Sequence, residues 1–135
     1  MIENTQKVSF KLIGYDIDTS VLKLARQNAR NAGVADYVDF HARDFHEFSS
    51  NRKYGVVITN PPYGIRMLER SQAEEIIKNM GKVFSNMPDW SVYILSALNG
   101  VEMLYGKKAT RRRKLFNGNI QTGYYQFLGE KPVRR

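Results

Sequence analysis

The chain has 135 residues, and its twenty-one Lys and Arg against thirteen Asp and Glu give a net charge of +8. That length suits one domain, residues 1 to 135, able to bury about two-thirds of its unfolded surface, and the basic balance favours a polyanionic partner such as nucleic acid. With no cysteine, disulfides, thiolate zinc sites and a cysteine nucleophile are excluded, and no apolar run approaches the roughly 20 residues of a membrane helix, so a cytoplasmic protein with no membrane association is expected.

From Val8 to Ile17 the chain is rich in β-branched and large apolar residues and ends in Asp16 and Asp18, the pattern of a buried strand emptying into a polar loop. Val21, Leu22, Leu24, Ala25 and Ala29 then recur at helical spacing. Asp18 or Thr19 is available as N-cap and Gly33 as a left-handed stop. A short strand is expected from Tyr37 to Phe40, a loop carrying Asp44 after it, and a third strand from Tyr54 to Thr59. Beyond Asn60-Pro61-Pro62-Tyr63-Gly64, the apolar residues Ile76, Ile77, Met80, Val83, Phe84 and Met87 predict one face of a helix from about Ser71 to Met87. A strand from Ser91 to Ala97 and a short helix from Val101 to Tyr105 follow. Arg111 to Phe116 then opens a hairpin, with Asn117-Gly118 as the central turn residues and a returning strand from Tyr124 to Leu128. Strands alternating with helices predict an α/β fold with a mainly parallel sheet, right-handed crossovers and a C-terminal antiparallel hairpin.

Asn60-Pro61-Pro62-Tyr63 directly follows a buried strand, where open α/β sheets form their ligand crevice. Such a sequence suits the exocyclic amine of a nucleic-acid base, whose lone pair is delocalised into the ring. The Asn60 side-chain oxygen and the Pro61 carbonyl can each accept a hydrogen bond from the amine, leaving the lone pair aimed outward, while the prolines restrict the loop. Tyr63 is placed to stack on the base, an interaction of about 1–3 kcal/mol in single-stranded recognition. Gly14-Tyr15-Asp16-Ile17-Asp18 ends the first strand, where an acid can accept hydrogen bonds from both ribose hydroxyls of a nucleoside cofactor. Asp16 is the candidate, and Asp18 is equally suited to capping the next helix. Asp44 is placed to accept from the cofactor's adenine amine, or else is a solvated loop acid.

Together these motifs resemble the class I S-adenosylmethionine-dependent amino-methyltransferases. More closely, they resemble the bacterial 23S rRNA guanine-N2 methyltransferases that carry an RNA-binding THUMP domain upstream. The resemblance also rests on Trp90-Ser91-Val92-Tyr93, on Lys114-Leu115-Phe116-Asn117-Gly118 and on Tyr124-Tyr125. It implies a Rossmann-like methyltransferase sheet and direct in-line methyl transfer from S-adenosylmethionine, without a metal or a covalent enzyme intermediate. It also implies catalytic residues Asn60, Pro61, Pro62 and Tyr63, and cofactor contacts at Asp16, Ile17, Asp44, Phe45 and Asn60. The family opens this domain with a strand and a glycine-rich loop, and no two glycines here are spaced Gly-x-Gly. The expected sheet therefore lacks the family's first strand, which points to a missing N-terminal portion or a strand-exchanged homodimer.

Lys107, Lys108, Arg111, Arg112, Arg113 and Lys114 form the expected phosphate-binding surface for RNA, or a solvated face protecting an edge strand. His41 and His46 lack a paired nucleophile or ligand set and read as structural, and Trp90, Tyr93 and Phe84 read as core. Methylation of guanine in 23S rRNA is the expected activity. Its rivals are adenine-N6 methylation of DNA or RNA, and a non-catalytic RNA-binding fragment.

Overall fold

The computed structural model describes residues 12–16, 18–42, 48–61 and 67–132. The chain divides into two compact units, Met1–Phe48 and Ser49–Arg135.

In the first unit β1 (Leu12–Asp16) pairs in parallel with β2 (Val38–Ala42), so that Gly14 lies level with Phe40 and Asp16 with Ala42. The expected strand residues 8–11 and Ile17 lie outside the described residues. Helix α1 (Thr19–Asn31) joins the two strands and buries Leu22 and Ala29, while Val21 and Leu24 of the expected stripe are exposed in this unit. Its end closes as the sequence predicts. Gly33 takes a φ of +75°, its N–H donates to the Arg30 carbonyl at 3.1 Å, and the Val34 N–H reaches back to Ala29 at 3.0 Å. This is the paired bonding that satisfies a helix's last carbonyls around a left-handed residue. Tyr37, expected to open the second strand, instead completes a 3₁₀ turn (Ala35–Tyr37), and its N–H donates to the Val34 carbonyl.

The second unit contains β3 (Val56–Thr59), α2 (Met67–Ser85), β4 (Ser91–Ser96), α3 (Val101–Tyr105), β5 (Arg111–Asn117) and β6 (Ile120–Phe127). Its sheet has the order β3-β4-β6-β5, with β3 parallel to β4 and β6 antiparallel to both neighbours. The antiparallel hairpin thus enters the sheet through its second strand. Helix α2 begins at Met67, earlier than the periodicity predicts. It stops before Met87 because the Asn86 and Met87 N–H groups bond three residues back, to Val83 and Phe84, tightening the last turn just before Pro88.

Alternation along the strands sorts this sheet into two faces. Val92 and Ile94 of β4 and Tyr125 and Phe127 of β6 are buried, together with Ala73, Ile77, Met80 and Phe84 of α2 and Val101 of α3. On the opposite face, Val56 and Ile58 are 58% and 79% exposed, and Tyr93 stacks on Tyr124 with ring centres 6.0 Å apart. The hairpin turn is one residue later than expected. Asn117 pairs with Ile120, which makes Gly118 and Asn119 the central residues, and of these Gly118 alone has positive φ, at +64°. Glycine first with an ordinary second residue is the pattern of a type II′ turn. Because a two-residue turn forces pairing at once, β6 begins at Ile120 rather than Tyr124.

Helix α3 runs between two left-handed glycines, Gly100 and Gly106, and packs closely on α2. A Cβ on Gly81 would lie 1.9 Å from the Tyr105 carbonyl oxygen. Gly81→Ala is expected to destabilise the fold by about 1–3 kcal/mol, because neither backbone can yield freely. A lowered urea midpoint at unchanged m-value checks it. Tyr105 itself stacks on Phe127 at 4.0 Å, and burial pushes its hydroxyl up to about 12 from 10.0. The stability this adds is fully present below 10.0 and is lost as pH rises through about 12. Tyr105→Phe should flatten that alkaline decline in urea titrations run from neutral pH upward.

Candidate active site

The end of β3 depends on how its beginning is held. Ser91 N–H donates to the Gly55 carbonyl at 2.9 Å, the Trp90 indole Nε1–H to the Arg52 carbonyl at 3.0 Å, and Tyr54 N–H to Asp89 Oδ2 at 2.8 Å. Gly55 lies so close to the Trp90 ring that a Cβ there would sit 2.4 Å from it. Tyr54 has a φ of +59°, a left-handed conformation that costs a non-glycine residue about 1–3 kcal/mol. A bond to a charged carboxylate contributes about 1.5–3 kcal/mol, so Asp89 offsets that strain. The sequence reading takes Tyr54 and Gly55 as strand and Trp90 as core. Here Tyr54 and Gly55 form the bend before β3, and Trp90 both stacks on Phe84 and clamps that bend.

From that start the register runs Val56 opposite Ser91 to Thr59 opposite Ile94, which delivers Asn60 and Pro61 to the carboxyl edge of the sheet. Asn60 is exposed, and its side chain has no hydrogen-bond partner among the described residues, whereas Pro61 is buried. Among the described residues the Asn60 amide is thus an unpartnered acceptor beside a buried proline. Pro62 and Tyr63 lie outside the described residues.

In the first unit the two aspartates separate into two jobs. Asp18 is the N-cap of α1: its Oδ1 accepts from the Ser20 N–H at 2.9 Å and the Ser20 hydroxyl at 2.6 Å. Those hydrogen bonds hold its carboxyl below the usual aspartate value. Asp16 ends β1, half-buried, with Oδ1 accepting from the Asp18 N–H at 2.9 Å. A carboxylate offers about four lone-pair sites, so Oδ2 of Asp16 keeps acceptor capacity for a ligand's hydroxyl groups. Ile17, Asp44, Phe45 and His46 lie outside the described residues. His41 is exposed, with the Tyr15 ring 6.0 Å away in a tilted contact.

The basic run divides by face. Arg112 donates to Glu102 Oε1 at 3.2 Å, while Glu102 Oε2 accepts the Ala109 N–H at 2.8 Å, so Glu102 and Arg112 together shape the turn into β5. Lys114 lies on the same face as Arg112, and Arg111 and Arg113 lie on the opposite face, level with Gln126 and Tyr124. Lys107 and Lys108 are exposed in the preceding turn. Glu102 is not among the residues the sequence reading singles out; its place in the first turn of a very short helix, ten residues before Arg112, gives no local signal of the pairing. Among the described residues no group of three or more His, Cys, Asp or Glu could hold a metal ion, and no helix is long and apolar enough to cross a membrane.

Residues 1–126 match the RMKL-like methyltransferase domain family. The chain belongs to that family. It is 41% identical over 121 residues, 89% of its length and 31% of the relative's, to a Bacillus subtilis protein named "Putative RNA methyltransferase YpsC". It is 30% identical over 125 residues, 92% of its length, to the ribosomal RNA large subunit methyltransferase K/L of Legionella pneumophila, covering 18% of that protein. Among solved structures it resembles SMU.472, whose crystal structure holds SAH, with a TM-score of 0.84 and 35% identity over 90% of this chain and 32% of that one. It also resembles a Listeria monocytogenes protein described as a predicted N6-adenine-specific DNA methylase, with a TM-score of 0.81 and 41% identity over 87% of this chain and 30% of that one. The chain thus spans a third or less of each of these proteins, and the two solved structures share its α/β methyltransferase fold.

The division of labour between the aspartates has a direct check. Asp18→Ala is expected to lower the thermal midpoint and leave ligand affinity unchanged, and Asp18→Asn, which keeps a capping oxygen, to restore most of the midpoint. With the Asp18 carboxyl held low in the fold, its contribution is present above 3.8 and is lost as pH falls below it. Midpoints of wild type and Asp18→Ala should therefore converge in acid.

Proposed function

We propose that this chain carries the catalytic part of an S-adenosylmethionine-dependent methyltransferase acting on the exocyclic amine of a base in RNA, guanine N2 of 23S rRNA. The observation that carries the reading is Asn60: an exposed amide, unpartnered among the described residues, at the carboxyl end of a parallel strand and beside a buried proline. Family membership and the SAH held by SMU.472 support the cofactor, and the names of the Bacillus and Legionella relatives support RNA.

The residues fit the cofactor. Asp16, with one carboxylate oxygen uncommitted among the described residues, would receive the ribose hydroxyls, and Ile17, Asp44 and Phe45 would line the adenosine site by their resemblance to the family. When bound, S-adenosylmethionine supplies an electrophilic methyl group. The Asn60 side-chain oxygen and the Pro61 carbonyl each accept a hydrogen bond from the amine, turn the nitrogen lone pair out of conjugation and hold it in one direction. Pro62 stiffens the loop and Tyr63 stacks on the base. Transfer to the amine nitrogen would break the donor's carbon–sulfur bond, leave S-adenosylhomocysteine and release one amine proton to solvent. The cations Lys107, Lys108, Arg111, Arg113 and Lys114 of β5 and the turn before it hold the RNA backbone, while Arg112 is engaged by Glu102. An rRNA substrate places the reaction in the cytoplasm.

Adenine N6 is the second reading, favoured by the description of the Listeria structure, and the Asn-Pro-Pro-Tyr chemistry suits either amine. Incubation with isotopically labelled S-adenosylmethionine and unmodified 23S rRNA, followed by nucleoside analysis, separates them: labelled N2-methylguanosine is expected, and labelled N6-methyladenosine selects the rival. Asn60→Ala should lower kcat about 10²–10³-fold with cofactor affinity intact, and Asp16→Ala should abolish calorimetric cofactor binding. A wild-type chain with no cofactor affinity at millimolar concentrations, about −4 kcal/mol, selects the non-catalytic RNA-binding fragment.

A further inference from the structure

The β5–β6 hairpin is longer than the sheet it joins. Ser96, the last residue of β4, pairs with Gly123, and Gly123 pairs with Lys114. Beyond that level Leu115, Phe116 and Asn117 pair only with Thr122, Gln121 and Ile120. The tip therefore extends three residues, about 10 Å, past the end of β4. Both β3 and β4 are parallel to each other and antiparallel to β6, as is β5, so the tip projects from the same carboxyl edge that presents Asn60. Three inter-strand steps separate β3 from β5 across the sheet, about 14 Å sideways.

Phe116 sits on this projection and is 72% exposed. A buried phenylalanine side chain would contribute about 1.5–3 kcal/mol to folding, and at this position nearly all of that is forgone. Edge strands more often carry charge than bare aromatic rings, and the rest of this strand obeys that rule with Arg111, Arg112, Arg113 and Lys114. Period-two alternation puts Lys114 and Phe116 on one face, about 7 Å apart along the strand. Arg112 shares that face but is engaged by Glu102; Lys114 has no ion-pair partner among the described residues. A free cation one rung from an exposed aromatic ring is the combination that binds single-stranded nucleic acid, the cation on a phosphate and the ring under a base.

We propose that Phe116 is an RNA-positioning residue: it stacks on a nucleotide a few positions along the strand from the methylated one, while Lys114 holds a phosphate beside it. This rests on the RNA methyltransferase reading. Docking an unpaired nucleotide at a fixed distance from Asn60 sets which base reaches the amide, so the hairpin tip acts on target choice and not on the chemical step.

The test is fluorescence-anisotropy titration of the purified chain with a fluorescein-labelled single-stranded RNA of mixed sequence, at several salt concentrations. Phe116→Ala and Phe116→Leu are both expected to weaken binding roughly tenfold to hundredfold, and Phe116→Trp to retain it. Leucine preserves apolar bulk but has no π face, so recovery of binding by Leu would mean the ring is merely structural and would overturn the proposal. The slope of log affinity against log salt should be unchanged in the Phe116 variants and reduced by about 0.7 in Lys114→Ala. If wild type binds and Phe116→Ala binds equally well, the proposal fails and the RNA reading stands; a wild-type chain that binds no RNA at any salt concentration overturns both.

Discussion

The bend before β3 is the constraint on which the second unit's chemistry depends. Trp90 and Asp89 take the Arg52 carbonyl and the Tyr54 N–H just ahead of the strand, and Ser91 takes the Gly55 carbonyl at its first rung. With that end fixed, a strand of only four residues has a single register against β4, and the height of Asn60 at the far end follows by counting. A one-residue slip would exchange the half-buried Val57 and Thr59 for Val56 and Ile58 and would turn Asn60 to the other face. The left-handed Tyr54 is the strain this arrangement tolerates, and Gly55 is the only residue type whose backbone lets the indole approach so closely.

A similar economy governs the first unit. Two acids separated by one residue would repel if both faced the same ligand. The fold commits Asp18 to capping α1, whose first turn contains no acidic residue of its own. Asp16 then accepts the Asp18 N–H, so the cap and the candidate ribose acceptor are linked through one backbone group. The same logic appears at β5: Glu102 takes up Arg112 and leaves Arg111, Arg113 and Lys114 as the cations available to a polyanion. Of the four basic residues of β5 that look equivalent in sequence, Arg112 is structural, Lys114 shares its face, and Arg111 and Arg113 lie on the other.

Much of this protein is written in its local sequence. Strand and helix order, the glycine stop of α1 and the placement of Asn60-Pro61 at a strand's end follow from apolar periodicity, helix-capping chemistry and proline geometry, all of which act over a few residues. The family likeness also reads directly from short motifs. Tertiary contacts decided what those rules leave free. Tyr54 looks like a strand residue until Asp89, thirty-five positions later, bonds its N–H. Asn117-Gly118 looks like a turn centre until pairing of Asn117 with Ile120 shifts the centre by one. Asp18 reads equally as cap or ligand until the Ser20 hydrogen bonds are formed. Which cations are free, which face carries Phe116 and how far the hairpin overshoots β4 were likewise settled by register. Register depends on the packing of whole faces and on partners distant in sequence, and neither leaves a signal within a short window of residues.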